Sequence, residues 1–195
     1  MNYLVLVALT SIIINSCSSP SEPAYVPEPG RRDYEWTVDT LLRLNSPRDR
    51  MWGSSPTDVW ATSTSNWNVS ISHYNGIKWT SYGIPGIVQP IAIYGFSSSE
   101  VYIGDENGKI WKYDGFSWQL IEQIRKEGVS YFQFENIWGE SSNDIYAVGC
   151  GPDHKLLANV SIIAHRNYGG WYMLNTENLI GNVVRIYKNK PDNKI

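Results

Sequence analysis

Three carboxylates recur at one offset along the chain. Asp58, Glu100 and Asp144 each stand five residues after a glycine and directly before a β-branched residue and an aromatic, as in Asp58-Val59-Trp60. Convergent carboxylates are the apparatus of general acid–base chemistry. Repetition at one place in a repeat points elsewhere, to side chains that close a turn onto the backbone. The histidines His73, His154 and His165 have no cysteine or histidine at zinc-site spacing, and two of them occupy one repeat position, so they read as structural. Gly104-Asp105-Glu106-Asn107-Gly108 has too few oxygen ligands, and no distal Glu, for a calcium loop; Asn107-Gly108 reads as a hairpin turn. Cys150 has no basic cluster beside it to activate a thiolate. No nucleophile elbow, Walker loop or His-Glu-x-x-His helix is present. The sequence therefore assigns no catalytic residue, no metal and no cofactor, and the chain reads as a binding protein, not an enzyme.

Composition narrows the classes further. The 195 residues carry 16 Lys+Arg against 19 Asp+Glu, a formal charge of −3, which argues against a nucleic-acid surface. A hydrophobic share of 42% suffices for a packed core. Two cysteines, Cys17 and Cys150, exclude a disulfide-dense scaffold. The 9 Trp and 13 Tyr against 4 Phe, with 16 Gly, call for elements that space large aromatics regularly.

Those elements are repeats. Met51-Trp52-Gly53, Ile93-Tyr94-Gly95 and Ile137-Trp138-Gly139 are each followed by Val59-Trp60, Val101-Tyr102 and Ile145-Tyr146 at the same spacing. Then come His73-Tyr74-Asn75-Gly76-Ile77-Lys78-Trp79, Lys112-Tyr113-Asp114-Gly115-Phe116-Ser117-Trp118 and a looser His165-Arg166-Asn167-Tyr168-Gly169-Gly170-Trp171. Asn-Gly and Asp-Gly predict type I′ hairpin turns with two positive-φ residues. Short runs of Val, Ile, Trp and Tyr around them predict strands. A unit of this length holds four antiparallel strands, a to d, with aromatics filling the wedges between neighbouring sheets.

This pattern resembles the β-propeller repeat proteins of bacterial surfaces, over residues 34–195. The resemblance implies an all-β array of four-stranded antiparallel blades. Tyr34 to Leu41, with Trp36, reads as an outer d strand, three blades follow, and Val183 to Tyr187 reads as a next a strand before a turn at Lys190-Pro191-Asp192-Asn193. The expectation is about three blades plus partial ones in an open or incomplete ring, whose exposed blade edges invite self-association. WD40 signatures are absent, and Tyr74 and Tyr113 stand where sialidase-type boxes place an acid, so no enzymatic family is implied.

The first 33 residues read as an address and a spacer. Tyr3 to Ile14 is too short to span a bilayer and fits the apolar core of a signal sequence, residues 1–16. Ile14-Asn15-Ser16-Cys17 resembles the lipobox of bacterial lipoproteins, which implies lipid on Cys17 and a place in the cell envelope, periplasmic or at the cell surface. An ordinary signal peptide, or a buried first strand, remains open on the same residues. Pro20, Pro23, Pro27 and Pro29 make residues 17–33 an extended tether that reaches up to ~50 Å at about 3 Å per residue.

Spacing also predicts which face binds. The a-to-b and c-to-d spacings are constant, whereas the b-to-c and d-to-a connections vary, and antiparallel strands place all the variable ones at one end. Free loops on a rigid scaffold are where recognition resides. The expected contacts are Trp67, Asp105, Tyr131, Phe132 and His154, the last in a loop at 150–158. The ligand class is a protein or a glycan. A carbohydrate-active enzyme on the same scaffold is the alternative, and a surface scaffold without a defined ligand the third reading.

Overall fold

The structure, a computed structural model, describes residues 47–177 and 179–188. The expected signal sequence, Cys17 with its tether, the strand at Tyr34 to Leu41 and the turn at Lys190 to Asn193 lie outside the described residues.

Three four-stranded antiparallel sheets follow one another, each with its strands in sequence order. Blade 1 is β1 (Arg50–Ser55), β2 (Asp58–Thr62), β3 (Ile71–Tyr74) and β4 (Trp79–Tyr82). Blade 2 is β5 (Ala92–Ser97), β6 (Glu100–Gly104), β7 (Lys109–Tyr113) and β8 (Trp118–Gln123). Blade 3 is β9 (Gln133–Ser141), β10 (Asp144–Asp153), β11 (Ala158–Asn167) and β12 (Gly170–Met173). The architecture is the expected all-β array of blades, and among the described residues no sheet closes on itself.

The constant a-to-b spacing is a register. Trp52 pairs with Trp60, Tyr94 with Tyr102, and Trp138 with Tyr146. In the third strand the partners are His73, Lys112 and His165, so each row lies on one face of its sheet. A register shift beside Gly53, Gly95 and Gly139 gives each a strand one extra residue and twists the hairpin locally. Beyond it, Ser55, Ser97 and Ser141 hydroxyls accept the amides of Thr57, Ser99 and Asn143 and cap the turn.

The c-to-d turns differ from the expected type. Gly76 and Gly115 have φ of 86° and 97°, but Asn75 and Asp114 are not among the positive-φ residues, so these are not type I′ turns. Instead, Tyr74 pairs with Trp79, and Tyr113 with Trp118, across four-residue loops. Asn75 Oδ1 accepts the amides of Ile77 and Lys78; Asp114 Oδ1 accepts those of Phe116 and Ser117. The side chain does what a second positive-φ residue would have done. The loop expected at 150–158 is also corrected. Gly149 to Asp153 continue to pair with Ile162 to Ala158, so the added length extends the ladder and leaves a turn at 154–157.

Burial follows the alternation of the strands. One core lies between blades 1 and 2, built on Trp60, Ile71, Ile93, Val101, Ile103 and Trp111. The other lies between blades 2 and 3, built on Tyr102, Ile110, Phe134, Ile137, Ile145 and Ile162. Aromatics fill the wedges between sheets as expected. Spacing between blades is set at the inner strands: the Trp52 ring lies against Gly95, where an added Cβ would come within 2.7 Å of it, and Tyr94 Oη donates to the Gly139 carbonyl at 3.0 Å. The expected a strand at Val183 to Tyr187 joins no ladder. Its Ile186 amide donates to Asn136 Oδ1 on β9 at 3.2 Å, and Lys188 Nζ pairs with Glu140 at 2.6 Å.

Candidate functional site

The repeated carboxylates are drawn into the sheets. Asp58 Oδ1 lies 2.6 Å from His73 Nε2, Asp144 Oδ1 lies 2.8 Å from His165 Nε2, and Lys112 Nζ donates to Glu100 Oε1 at 2.7 Å. The turn closure expected of them is thus corrected, although Ser54 Oγ does bond Asp58 Oδ2 at 2.5 Å. Each of these basic side chains in turn lies on the aromatic of strand b. Trp60 and His73 stack at 3.9 Å and 15°, Tyr146 and His165 at 4.0 Å and 6°, and Lys112 Nζ sits 5.3 Å above the Tyr102 ring. Burial alone would raise the Glu100 carboxyl; hydrogen bonds from Lys112 and Tyr102 outweigh it and hold that carboxyl below its ordinary range.

The next blade supplies a lid for this layer. Tyr113 and Trp118 of blade 2 meet Trp60 at 4.9 Å and 5.4 Å. In blade 3 the same positions are Arg166, whose charge acts on Glu100, and Trp171, which packs on the second core. In blades 1 and 2 the acid, the aromatic and the basic side chain therefore form part of the joint to the next blade.

The opposite end of the sheets is different. There the b-to-c connections 63–70, 105–108 and 154–157 meet the d-to-a connections 83–91 and 124–132. Three clefts open among these connections. The first, about 500 Å³, lies between residues 126–128, the 153–156 turn and residues 173–177. The second, about 310 Å³, lies between Asn107 and residues 123–132. The third, about 430 Å³, lies between residues 63–70 and 87–90.

The five sequence-derived candidates separate into two depths. Trp67 (71% exposed), Tyr131 (53% exposed) and His154 are on the surface; Asp105 and Phe132 are buried. Trp67 lines the third cleft, Tyr131 and Phe132 the second, and His154 Nε2 lies 2.9 Å from Ser130 Oγ of that cleft. The structure thus brings Tyr131, Phe132 and His154 into one neighbourhood and sets Trp67 apart. Phe132 packs edge-on against Phe134 at 5.4 Å in the core.

Asp105 organises the face from beneath. Its Oδ1 accepts the amides of Asn107 and Lys109, and its Oδ2 accepts Trp111 Nε1 at 3.0 Å and the Val88 amide at 3.4 Å. Burial pushes its carboxyl up, against the pull of those four donors. One side chain thereby fastens the blade 1–2 connection to the turn of blade 2. Four lining residues escaped the sequence reading: Ser70 and Gln89 in the third cleft, and Lys126 and Thr176, bonded to each other at 2.6 Å, in the first. The unequal length of the connections is the one sequence signal that covers their positions.

Comparison with protein-family models, curated proteins and solved structures gives no match.

Proposed function

We propose that the chain is an extracytoplasmic repeat protein, anchored through lipid on Cys17, whose blade array is a binding or scaffold module for a protein or a glycan. One observation carries this reading. The three clefts described open at the end where the connections vary in length, while the a-to-b turns at the other end repeat one serine-capped geometry. A rigid platform with one variable end suits recognition. The repeated acids support it from the other side: each is already paired with a histidine or lysine of its own blade, which leaves them little part in acid–base chemistry.

The test sets the two ends against each other. Immobilised glycans and cell-envelope proteins are screened with the full chain in detergent. Captured pairs are then remeasured with Trp67→Ala, Tyr131→Ala and Lys155→Glu, and with Ile77→Ser, Phe116→Ser and Tyr168→Ser. The second set lies at the tips of the uniform turns, where these apolar side chains are 86%, 94% and 91% exposed. Loss of capture in the first set alone is the expected result. Loss in the second set alone places recognition at the wrong end and overturns the proposal.

A further inference from the structure

The third cleft differs from the other two in having no charged side chain among its described lining residues. Residues 63–65 contribute hydroxyls, Ile87, Val88 and Pro90 an apolar wall, and Trp67 an aromatic plane. Each part is held in place by its backbone. Trp67 opens a short 3-10 turn (Trp67–Val69) capped by Asn66, whose Oδ1 accepts the Asn68 amide, and Arg48 clamps the end of that turn through the Val69 carbonyl at 3.0 Å. Gly83 packs so closely on the Trp67 carbonyl that a Cβ there would lie 2.4 Å from it. The indole projects from a fixed base and is 71% exposed. The facing wall is fixed too, because Asp105 holds Val88 and Gln89 Nε2 donates to Glu106 at 2.8 Å.

Two features of this cleft have no use in holding the fold. Ser70 lines it and is fully buried, with its backbone carbonyl accepting the Ser63 amide, yet its Oγ has no hydrogen-bond partner. Buried hydroxyls are normally satisfied, and a ligand seated in this cleft would supply the partner that this one lacks. Gln89 has φ of 44°, a region uncommon for any residue but glycine, and it precedes Pro90, which favours an extended neighbour. Such strain is concentrated at ligand sites.

We infer that the cleft between Trp67 and the 87–90 segment is a site for one pyranose ring of a neutral saccharide. The inference rests on the reading of this end of the molecule as a binding face. A pyranose has an apolar C–H face that matches the indole, and an equatorial rim of hydroxyls that matches Ser70, Thr64 and the Gln89 amide oxygen. The described lining residues carry no charge to pair with a phosphate, carboxylate or ammonium ligand, which favours a neutral one. A single ring of about a dozen heavy atoms at ordinary ligand efficiency binds with a Kd on the order of 1 mM.

The probes are methyl α-glucoside, methyl β-galactoside and methyl N-acetyl-β-glucosaminide, titrated into the full chain. The readout is the indole N–H resonance of Trp67, assigned by its disappearance in Trp67→Phe. The expected result is a saturable shift with at least one probe. Trp67→Ala should abolish binding of that probe, followed then by the probe's own resonances. Ser70→Ala should weaken it several-fold while leaving Tm unchanged or raised, since the orphan hydroxyl is gone. No shift with any probe up to about 50 mM, far above the expected Kd, overturns the inference. A Ser70→Ala chain that binds as tightly as the parent overturns the role given to Ser70. Sugars that fail here while variants at the variable end still abolish capture refute the pyranose site and leave the broader binding proposal standing.

Discussion

Gly95→Ala tests the inner joint between blades 1 and 2. Its new Cβ would lie 2.7–2.8 Å from three atoms of the Trp52 ring, where ordinary contact begins near 3.4 Å. The residue is not a positive-φ glycine, so backbone strain plays no part and the cost comes from overlap alone. A rigid indole cannot fold away from a methyl group. Either Trp52 rotates out of the wedge or the two sheets move apart by several tenths of an ångström. Overpacking of this kind costs about 1–3 kcal/mol. For a chain of this size that is a fall in Tm of roughly 2–10 °C. Urea unfolding, followed by Trp fluorescence and circular dichroism, gives the free energy; the midpoint should drop without a change in slope. Trp52→Leu alone should also destabilise, by loss of buried area. The double variant should then lose less than the sum of the two, because leucine leaves room for the added methyl. Strict additivity, or a Gly95→Ala chain as stable as the parent, would refute the claim that the ring against this glycine sets the blade spacing.

The other perturbations probe charge and anchoring. Lys112→Met removes the cation that outweighs burial at Glu100. Because the folded carboxyl is held below its ordinary range, its stabilisation is present above about pH 4.3 and fades as pH falls through the lower folded value. The gap in stability between parent and variant should therefore shrink on acidification, and a pH-independent gap would count against the pairing. Asp105 has the opposite sign: burial raises its folded value, so its ionisation lowers stability as pH rises from about 4 through that value. Asp105→Asn should flatten this slope, yet still destabilise by about 1–3 kcal/mol, since an amide NH₂ would face one pair of the four donors. Amide exchange should accelerate first at Val88. Cys17→Ser should move the chain from the membrane fraction to a soluble one, and an unchanged membrane fraction would defeat the lipid-anchor proposal.

Strand existence and pairing were legible because the eight-residue spacing from Trp52 to Trp60 and its repeats is the register of a tight hairpin. Turn type was not. Asn75 and Asp114 satisfy the loop through side-chain acceptors, and that outcome depends on a four-residue closure set by Tyr74–Trp79 and Tyr113–Trp118 pairing. The partners of the acids were hidden for a related reason. Asp58 finds its partner 15 positions later, Glu100 12 and Asp144 21, because the variable b-to-c connection lies between them. A fixed contact in space thus has no fixed spacing in sequence. Trp67 could be chosen from its place in a long connection. Ser70 and Gln89 could not, since an orphan hydroxyl and a positive φ emerge only when the 63–70 and 83–91 segments meet.

The blade joint gives the array a direction. One side of every blade carries the acid, the aromatic and the basic side chain, and the other carries the position of the lid: Tyr113 and Trp118 in blade 2, Arg166 and Trp171 in blade 3. Such a contact is heterologous, the same kind that builds helical filaments or rings from identical subunits. Two blades turned face to face would present two lids with nothing to cover, or two acid-and-aromatic layers without a lid. Growth by duplication can therefore proceed only head to tail, and a segment copied from Arg50 to Ile91 would arrive with both coupling surfaces intact. Polarity of this kind also localises failure: among the described residues blade 2 packs on a blade at each side, so its amide protons should exchange last.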